Sequence, residues 1–461
     1  MKFKSGTRRK AIEYEKDLVL QWKKNKTFEK SVAQRSAQNS YVFYDGPPFI
    51  SGVPHHGTLL SSIVKDAVPR YQTMKGKRVE RVWGWDAHGL PAERYTEKKL
   101  GIHSREEVLE YGLEKYILAT RENMLETSSA WEDVVDRVGR WVDFKGAYKT
   151  MDKDYMESIW WAFKTLYEKG KIYEGEKVLM YCTLDGTPLS KAEVTMDAGA
   201  YQDVTDPSVY VKFKLNDGRI LLAWTTTPWT LPANTALAVN TDLEYVEVKV
   251  GNQQFIVAEK LIEKILVDEK KQPLNYEIIR KLKGSELVGL GYEPLFGDRG
   301  ENAHKVWAAD YVSDEDGTGI VHIAPAYGEE DFELAKVHKI PVVHTIDQNG
   351  MFTEGPWEGQ NVWDINKQIA KDLKEQGVVW KIDYIRHSYP HCHRCGTKLM
   401  YRAHPSWFMD IDGQRELMLA KNQSITWFPE HVKHGRFEKT VLTAPDWNIS
   451  RDRFWATAMP V

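Results

Sequence analysis

Residues 41–93 follow an order that leaves few folds open. "YVFYDGPPF" (41–49) reads as a short buried strand ended by a Gly-Pro-Pro break. After "SGVPHHG", the stretch "TLLSSIVKDAVPRYQTMKG" puts Leu59, Leu60, Ile63, Val64 and Val68 at helical spacing, with Pro69 a kink point and Gly76 a stop. "KRVERVWGWDAHGLPAE" (77–93) reads as a second strand and its exit loop. Strand, loop, helix and strand in that order predict a parallel sheet and an α/β domain.

The rest of the chain changes character. Residues 10–28 predict an amphipathic helix with Ile12, Leu18, Leu20 and Trp22 among charges, and 105–170 are mostly helical. From about residue 200 to 385 the pattern is β-rich, with hairpin turns at Asn216-Asp217-Gly218 and Gly251-Asn252. A length of 461 residues favours two or three domains. The expected division is 1–185, an N-terminal helix and the first half of an α/β domain; 186–385, a β-rich insertion; and 386–461, a ribbon and the return to the first domain. With 63 basic and 66 acidic residues, a dedicated basic arm is excluded, but a basic face for a large RNA is not. Three cysteines and the lack of an apolar leader predict a reducing, cytoplasmic setting without a membrane span.

The loop "PHHGTLL" (54–60) falls between a strand and a helix N-terminus, where free N–H groups and the helix dipole favour a phosphate. Residues 55 and 58 share a helix face, while residue 56 is turned by about 100°. A histidine there donates to phosphate oxygens, and Gly57 lets a ligand approach the backbone. The plainer reading is that His55 only caps the helix.

"YDGPPFISGVPHHGTLL", "WGWDAHGLPAE" and "RWVDFKGAYKTMDKDYMESIWW" together resemble the N-terminal part of the isoleucyl-tRNA synthetases, class I enzymes whose signature at this turn is His-x-Gly-His. The resemblance runs over nearly the whole chain, and the "GPPF" loop favours the isoleucyl branch over the valyl and leucyl ones. It implies a Rossmann-type catalytic domain, interrupted by a β-rich editing domain, that joins isoleucine to tRNA(Ile) through an adenylate, with ATP and Mg2+ and as a monomer. By this resemblance Gly46, His55, Gly57 and Thr58 hold ATP, Pro48 lines the side-chain pocket and Asp86 holds the substrate ammonium. Thr58 stands where the second signature histidine belongs. A hydroxyl donates one hydrogen bond but carries no positive charge, and His56 points elsewhere. Weakened activation, or a compensating group, is therefore expected.

"AWTTTPWTLPANTALAV" and "GTGIVHIAPAYGEEDFELA" match the editing insertion of this branch. The resemblance implies that Thr225, Thr226, Thr227, Asn234 and His322 shape a hydrolytic pocket, with Asp331 fixing the amino group of a misattached amino acid. Taken singly, the threonines fit β-propensity and Asp331 fits a helix start. The need for editing is physical. One methylene is worth about 1–3 kcal/mol, so a site that admits isoleucine rejects valine poorly, a limit usually illustrated with isoleucyl enzymes themselves. A positioned water would attack the ester.

"YPHCHRCGTKL" gives Cys392-x-x-Cys395, a metal-knuckle spacing. "YCTLDGTPLS" has the same ending, with Cys182 and with Asp185 at the second cysteine position. Zinc held by Cys182, Asp185, Cys392 and Cys395, with His391 or His393 as a substitute for the carboxylate, stands against a metal-free ribbon. "APDWNISRDRFWATAMPV" (444–461) resembles the segment that re-enters the catalytic sheet. The Lys-Met-Ser-Lys-Ser loop of the family does not follow, so the reading is of a fragment. A valyl enzyme, an editing-only hydrolase and a non-catalytic RNA-binding relative remain as rivals.

Overall fold

A computed structural model of the chain describes residues 8–50, 52–126, 128–191, 193–194, 199–268, 270–393 and 395–461. The chain forms two compact units, residues 1–172 with 452–461, and residues 173–451.

The first unit opens with α1 (Ala11–Lys24) and α2 (Thr27–Ala33). The expected apolar face of α1 is only partly used: Ile12 and Leu20 are exposed, and Trp22 packs edge-on against Trp141 at 5.5 Å. Next come α3 (His56–Met74), β1 (Val82–Trp85), helices α4 to α7 (Leu90–Leu100, Arg105–Tyr111, Leu113–Leu125 and Ser128–Arg137), β2 (Asp143–Lys149) and α8 (Lys153–Glu168). The strands β1 and β2 pair in parallel, Val82 opposite Asp143 and Trp85 opposite Lys149, as the α/β reading requires. The strand β2 interrupts a stretch read as mostly helical.

Two sequence expectations need correction here. The segment 41–49 is neither buried nor a continuous strand; Tyr44 is 92% exposed. It runs parallel to residues 78–86 but is joined only at its ends. Tyr41 N donates to Arg78 O (2.8 Å), and Asp86 N donates to Pro48 O (2.9 Å). Pro47 and Pro48 have no N–H to donate, which thins the ladder between the ends. The second correction is the buried face of α3. Ser62, Pro69 and Thr73 are its buried residues, while Leu60, Ile63 and Val64 are exposed. The inner face is polar because it receives buried guanidinium groups. Arg81 donates to Thr73 Oγ1 (2.9 Å) and Arg140 to Ser62 Oγ (3.3 Å), so each guanidinium finds one hydroxyl acceptor on this face, where an unpaired donor is costly to bury.

The core of this unit is aromatic. The rings of Trp83, Trp85 and Trp131 lie 5.4–6.2 Å apart, at the spacing that favours edge contacts. Residues 453–455 are tied in by Glu93, buried to 1% exposure, which accepts from Phe454 N (2.9 Å), Trp455 N (2.8 Å) and the Arg453 guanidinium (3.2 Å).

Among the described residues, the second unit contains three sheets. Its strands are β3 (Ile172–Cys182), β4 (Thr187–Leu189), β5 (Tyr201–Lys214), β6 (Ile220–Thr225), β7 (Ala236–Val239), β8 (Glu244–Val250), β9 (Gln253–Ala258), β10 (Glu277–Lys283), β11 (Lys305–Ala308), β12 (Ile320–Ile323), β13 (Val379–Pro390), β14 (Met400–Met409) and β15 (Trp447–Asn448). The sheet orders are β10-β8-β9-β6-β5-β13, β11-β7-β12 and β15-β14-β3-β4. Both predicted turns form, with Gly218 at φ 90° and Gly251 at φ 59°, values that glycine adopts without strain. The short helix α9 (Ile262–Ile265) and the helices α10 (Glu329–His338) and α11 (Val362–Glu375) belong to this unit. The expected boundaries at 185 and 386 fall inside it, because β3, β4 and β14 share one sheet.

Candidate functional sites

In the first unit a cavity of about 450 Å³ opens at the amino end of α3. Gly46, Pro48, His55, Gly57 and Thr58 all line it, and His56 is not part of its wall. His55 is the N-cap of α3, and its backbone N–H points at Thr58 Oγ1 (3.4 Å). The Thr58 oxygen thus accepts from the backbone, and its own proton is left for a ligand. Gly57 also has a local packing role. A Cβ there would stand 3.1 Å from the His55 ring. The cationic wall is Lys65 and Arg140, both ion-paired to Asp45. Trp131 supports the loop by donating its indole N–H to Gly52 O (2.7 Å).

Asp86 lies behind Pro48 rather than in the lining of this cavity; the two residues share the backbone bond above. Burial raises the Asp86 carboxyl above its ordinary range, against a lowering hydrogen bond from the His88 backbone. Burial also lowers His88 to about 4. Trp455, which sequence reasoning did not single out, completes this corner. Its indole N–H donates to Ala87 O, and its ring stands 5.2 Å from that of His88.

In the second unit, β6 ends at Thr225, β7 follows Asn234 and pairs with β12, and β12 carries His322. The cluster is continuous. Thr225 Oγ1 lies 3.1 Å from Thr227 Oγ1, which lies 3.2 Å from Thr230 Oγ1. Thr230 Oγ1 is 2.8 Å from His322 Nε2, and His322 Nδ1 is 3.0 Å from Asn234 Nδ2. Tyr292 OH donates to Asn234 Oδ1 (2.6 Å). Burial lowers His322 to about 4, so the ring is neutral near pH 7. Thr226 is half-buried beside this chain of bonds. Thr230 and Tyr292 were missed by sequence reasoning. Thr230 follows the threonine run closely enough to be found, but Tyr292 has no local signal.

Asp331 sits in the first turn of α10 and folds back so that its Oδ2 accepts from Ala324 N (2.8 Å), two residues beyond His322. Gly328 makes room for it: a Cβ there would lie 2.7 Å from the Asp331 carboxyl. Gly328→Ala is therefore expected to displace the carboxylate, seen as loss of amide-exchange protection at Ala324. Burial, opposed by the Ala324 N–H, pushes Asp331 from 3.8 up to about 7. A folded-state value raised in this way contributes stability below pH 4 that is lost as pH rises through 7. Asp331→Asn should accordingly gain in melting temperature relative to the parent from about pH 4 to about pH 7, the window in which the parent loses that stability.

The four expected metal donors also meet. Cys182, Asp185, Cys392 and Cys395 present ligand atoms all within 4.8 Å of one another. Each knuckle closes on a left-handed glycine, Gly186 (φ 60°) and Gly396 (φ 77°). The Cys182 and Cys395 sulfurs are 3.4 Å apart, and Cys392 Sγ donates to Asp185 Oδ2 (3.1 Å). Hydrogen bonding from Cys182 holds the Cys395 thiol well below its usual range. Three thiols and a buried carboxylate fit a tetrahedral zinc ion chemically. His391 is not drawn in; its Nδ1 faces Tyr389 O at 2.9 Å.

An α/β unit with a helix-capped cavity, and a β-rich unit with a buried hydroxyl-histidine cluster, define the class. Residues 17–461 match the family described as tRNA synthetases class I (I, L, M and V), and the chain belongs to that family. It is 47% identical over 451 residues to isoleucine–tRNA ligase 2 of Pseudomonas fluorescens, covering 96% of this chain and 43% of that protein. It is also 47% identical to isoleucine–tRNA ligase of Corynebacterium diphtheriae, covering 97% of this chain and 44% of that one. The chain thus spans less than half the length of the curated relatives it matches. Among the described residues, no helix is long and apolar enough to cross a membrane.

Proposed function

We propose that this chain provides the ATP-signature half of an isoleucine-activating site together with an editing site for misacylated tRNA. The observation that carries the first part is one cavity holding Pro48, His55 and Thr58 at a helix N-terminus, in a chain 47% identical to isoleucine–tRNA ligases. His55 and the free N–H groups of α3 would receive ATP phosphates, with Mg2+ accompanying the nucleotide. Asp86 would take the isoleucine ammonium, and the bound cation would restore its ionised form. Isoleucine-dependent ATP–pyrophosphate exchange, in a background with the full length of the relatives, tests this reading. Exchange driven by valine in preference to isoleucine would make it a valyl enzyme instead.

For editing, Asp331 would hold the ammonium of a misattached valine, and the Thr225–Thr227 hydroxyls would surround its ester. Hydrolysis of valyl-tRNA by the 461-residue chain tests that half separately. The intact hydroxyl cluster, set against a substituted signature at Thr58, keeps an editing-only hydrolase as the second reading.

Zinc would be held by Cys182, Asp185, Cys392 and Cys395, tying two hairpins together as a structural cross-link. Replacing the weaker carboxylate ligand by Asp185→Cys should tighten binding, read as slower zinc loss to a chelator. Protein purified without chelator and found free of zinc would sink the assignment.

A further inference from the structure

Resting on the editing reading, we propose that Asn234, anchored by Tyr292, is a positioning residue that fixes His322 as its Nε2–H tautomer and thereby sets the direction of every hydroxyl proton in the threonine cluster. Asn234 is buried, and both ends of its amide are assigned by their partners. Nδ2 lies 2.9 Å from Ala236 O and 3.4 Å from Ile323 O, while Oδ1 receives Tyr292 OH at 2.6 Å. Turning the amide over would set its oxygen against two backbone carbonyls. The N–H face is therefore the one presented to His322 Nδ1 at 3.0 Å. Nδ1 must accept, so the proton of the neutral ring lies on Nε2.

The direction then propagates. His322 Nε2–H donates to Thr230 Oγ1 (2.8 Å), and Thr230 gives its own proton to Thr227 O (2.8 Å). Thr227 Oγ1, at 3.2 Å from Thr230 Oγ1, donates inward to it, and Thr225 Oγ1 donates to Thr227 Oγ1 at 3.1 Å. The Thr225 and Thr227 hydroxyl protons are thus both spent within the cluster, and neither is free for a ligand. Thr227 is left offering an oxygen lone pair. The ligand it selects is a hydrogen-bond donor, either a ribose hydroxyl or an ammonium, and not an acceptor such as a carbonyl. Tyr292 holds the far end from 58 residues away in sequence. Its ring packs on Phe213 and His304 at 5.3 and 5.6 Å, so Tyr292→Phe keeps the packing and removes only the hydroxyl.

The experiment is long-range 1H–15N correlation on the full chain labelled with 15N-histidine, the His322 signals being assigned by their loss in His322→Gln. The expected parent spectrum has Nε2 protonated and Nδ1 bare; a protonated Nδ1 in the parent overturns the proposal. Asn234→Asp replaces the donor by an acceptor and should protonate Nδ1, and an Nδ1 that stays bare overturns it too. Tyr292→Phe should lower kcat for valyl-tRNA hydrolysis by about tenfold with KM unchanged; an unchanged kcat removes Tyr292 from the relay. If the parent chain fails to hydrolyse valyl-tRNA at all, the editing reading falls, while the tautomer result stands or falls on the spectrum alone.

Discussion

Thr58→His is expected to raise isoleucine-dependent ATP–pyrophosphate exchange by on the order of 10²–10³, the usual worth of one donor aimed at charge that develops in a transition state. Thr58 supplies a neutral hydroxyl whose oxygen already faces the His55 N–H at 3.4 Å. The nearby cations do not replace it, because Lys65 and Arg140 are both engaged by Asp45. An imidazole at 58 keeps the side chain on the cavity face, one turn along from His55, and adds a group able to carry charge. The substitution forgoes a long capping bond, a loss of about 0.5–1 kcal/mol in helix stability. That is small beside the expected gain. Exchange that does not rise would mean another group already meets the phosphate, and the signature position would lose its assigned role.

Asp331→Ala should slow valyl-tRNA hydrolysis by about 10–10²-fold and leave isoleucine activation unchanged. A hydrogen bond to a charged group is worth about 1.5–3 kcal/mol, and each 1.4 kcal/mol is a factor of ten. The two activities separate because Asp331 and the α3 cavity belong to different units of the chain. Hydrolysis at the parental rate would remove Asp331 from the site. The raised Asp331 value adds a second signature: hydrolysis by the parent should increase as pH rises through about 7, where the carboxyl ionises, and Asp331→Asn should flatten that rise.

Much of the candidate chemistry was legible in the sequence because it is local. His55, Gly57 and Thr58 fall within one helical turn, and the spacing alone put residue 56 on another face; the cavity wall agrees. The paired knuckle endings of "CTLDGT" and "CHRCGT" predicted four donors that the fold does bring together. The apolar stripe of α3 was legible too, but not its orientation. Periodicity reports that a helix has two faces; it does not report that buried arginines claim the inner one.

The sequence by itself determined the parallel α/β order at the start, the β-rich middle with its two glycine turns, and the residue types at each site. These follow from spacing, turn chemistry and side-chain functional groups, which are properties of neighbours along the chain. Only the tertiary structure decided that residues 41–49 pair at their ends alone, that Gly328 is there to admit Asp331, and that Tyr292 reaches His322 through Asn234. Each of these is a contact between residues whose separation is set by how the sheets pack. A hydrogen bond is directional and works within about 3 Å, so its existence is fixed by packing, and no pattern in the linear order encodes it.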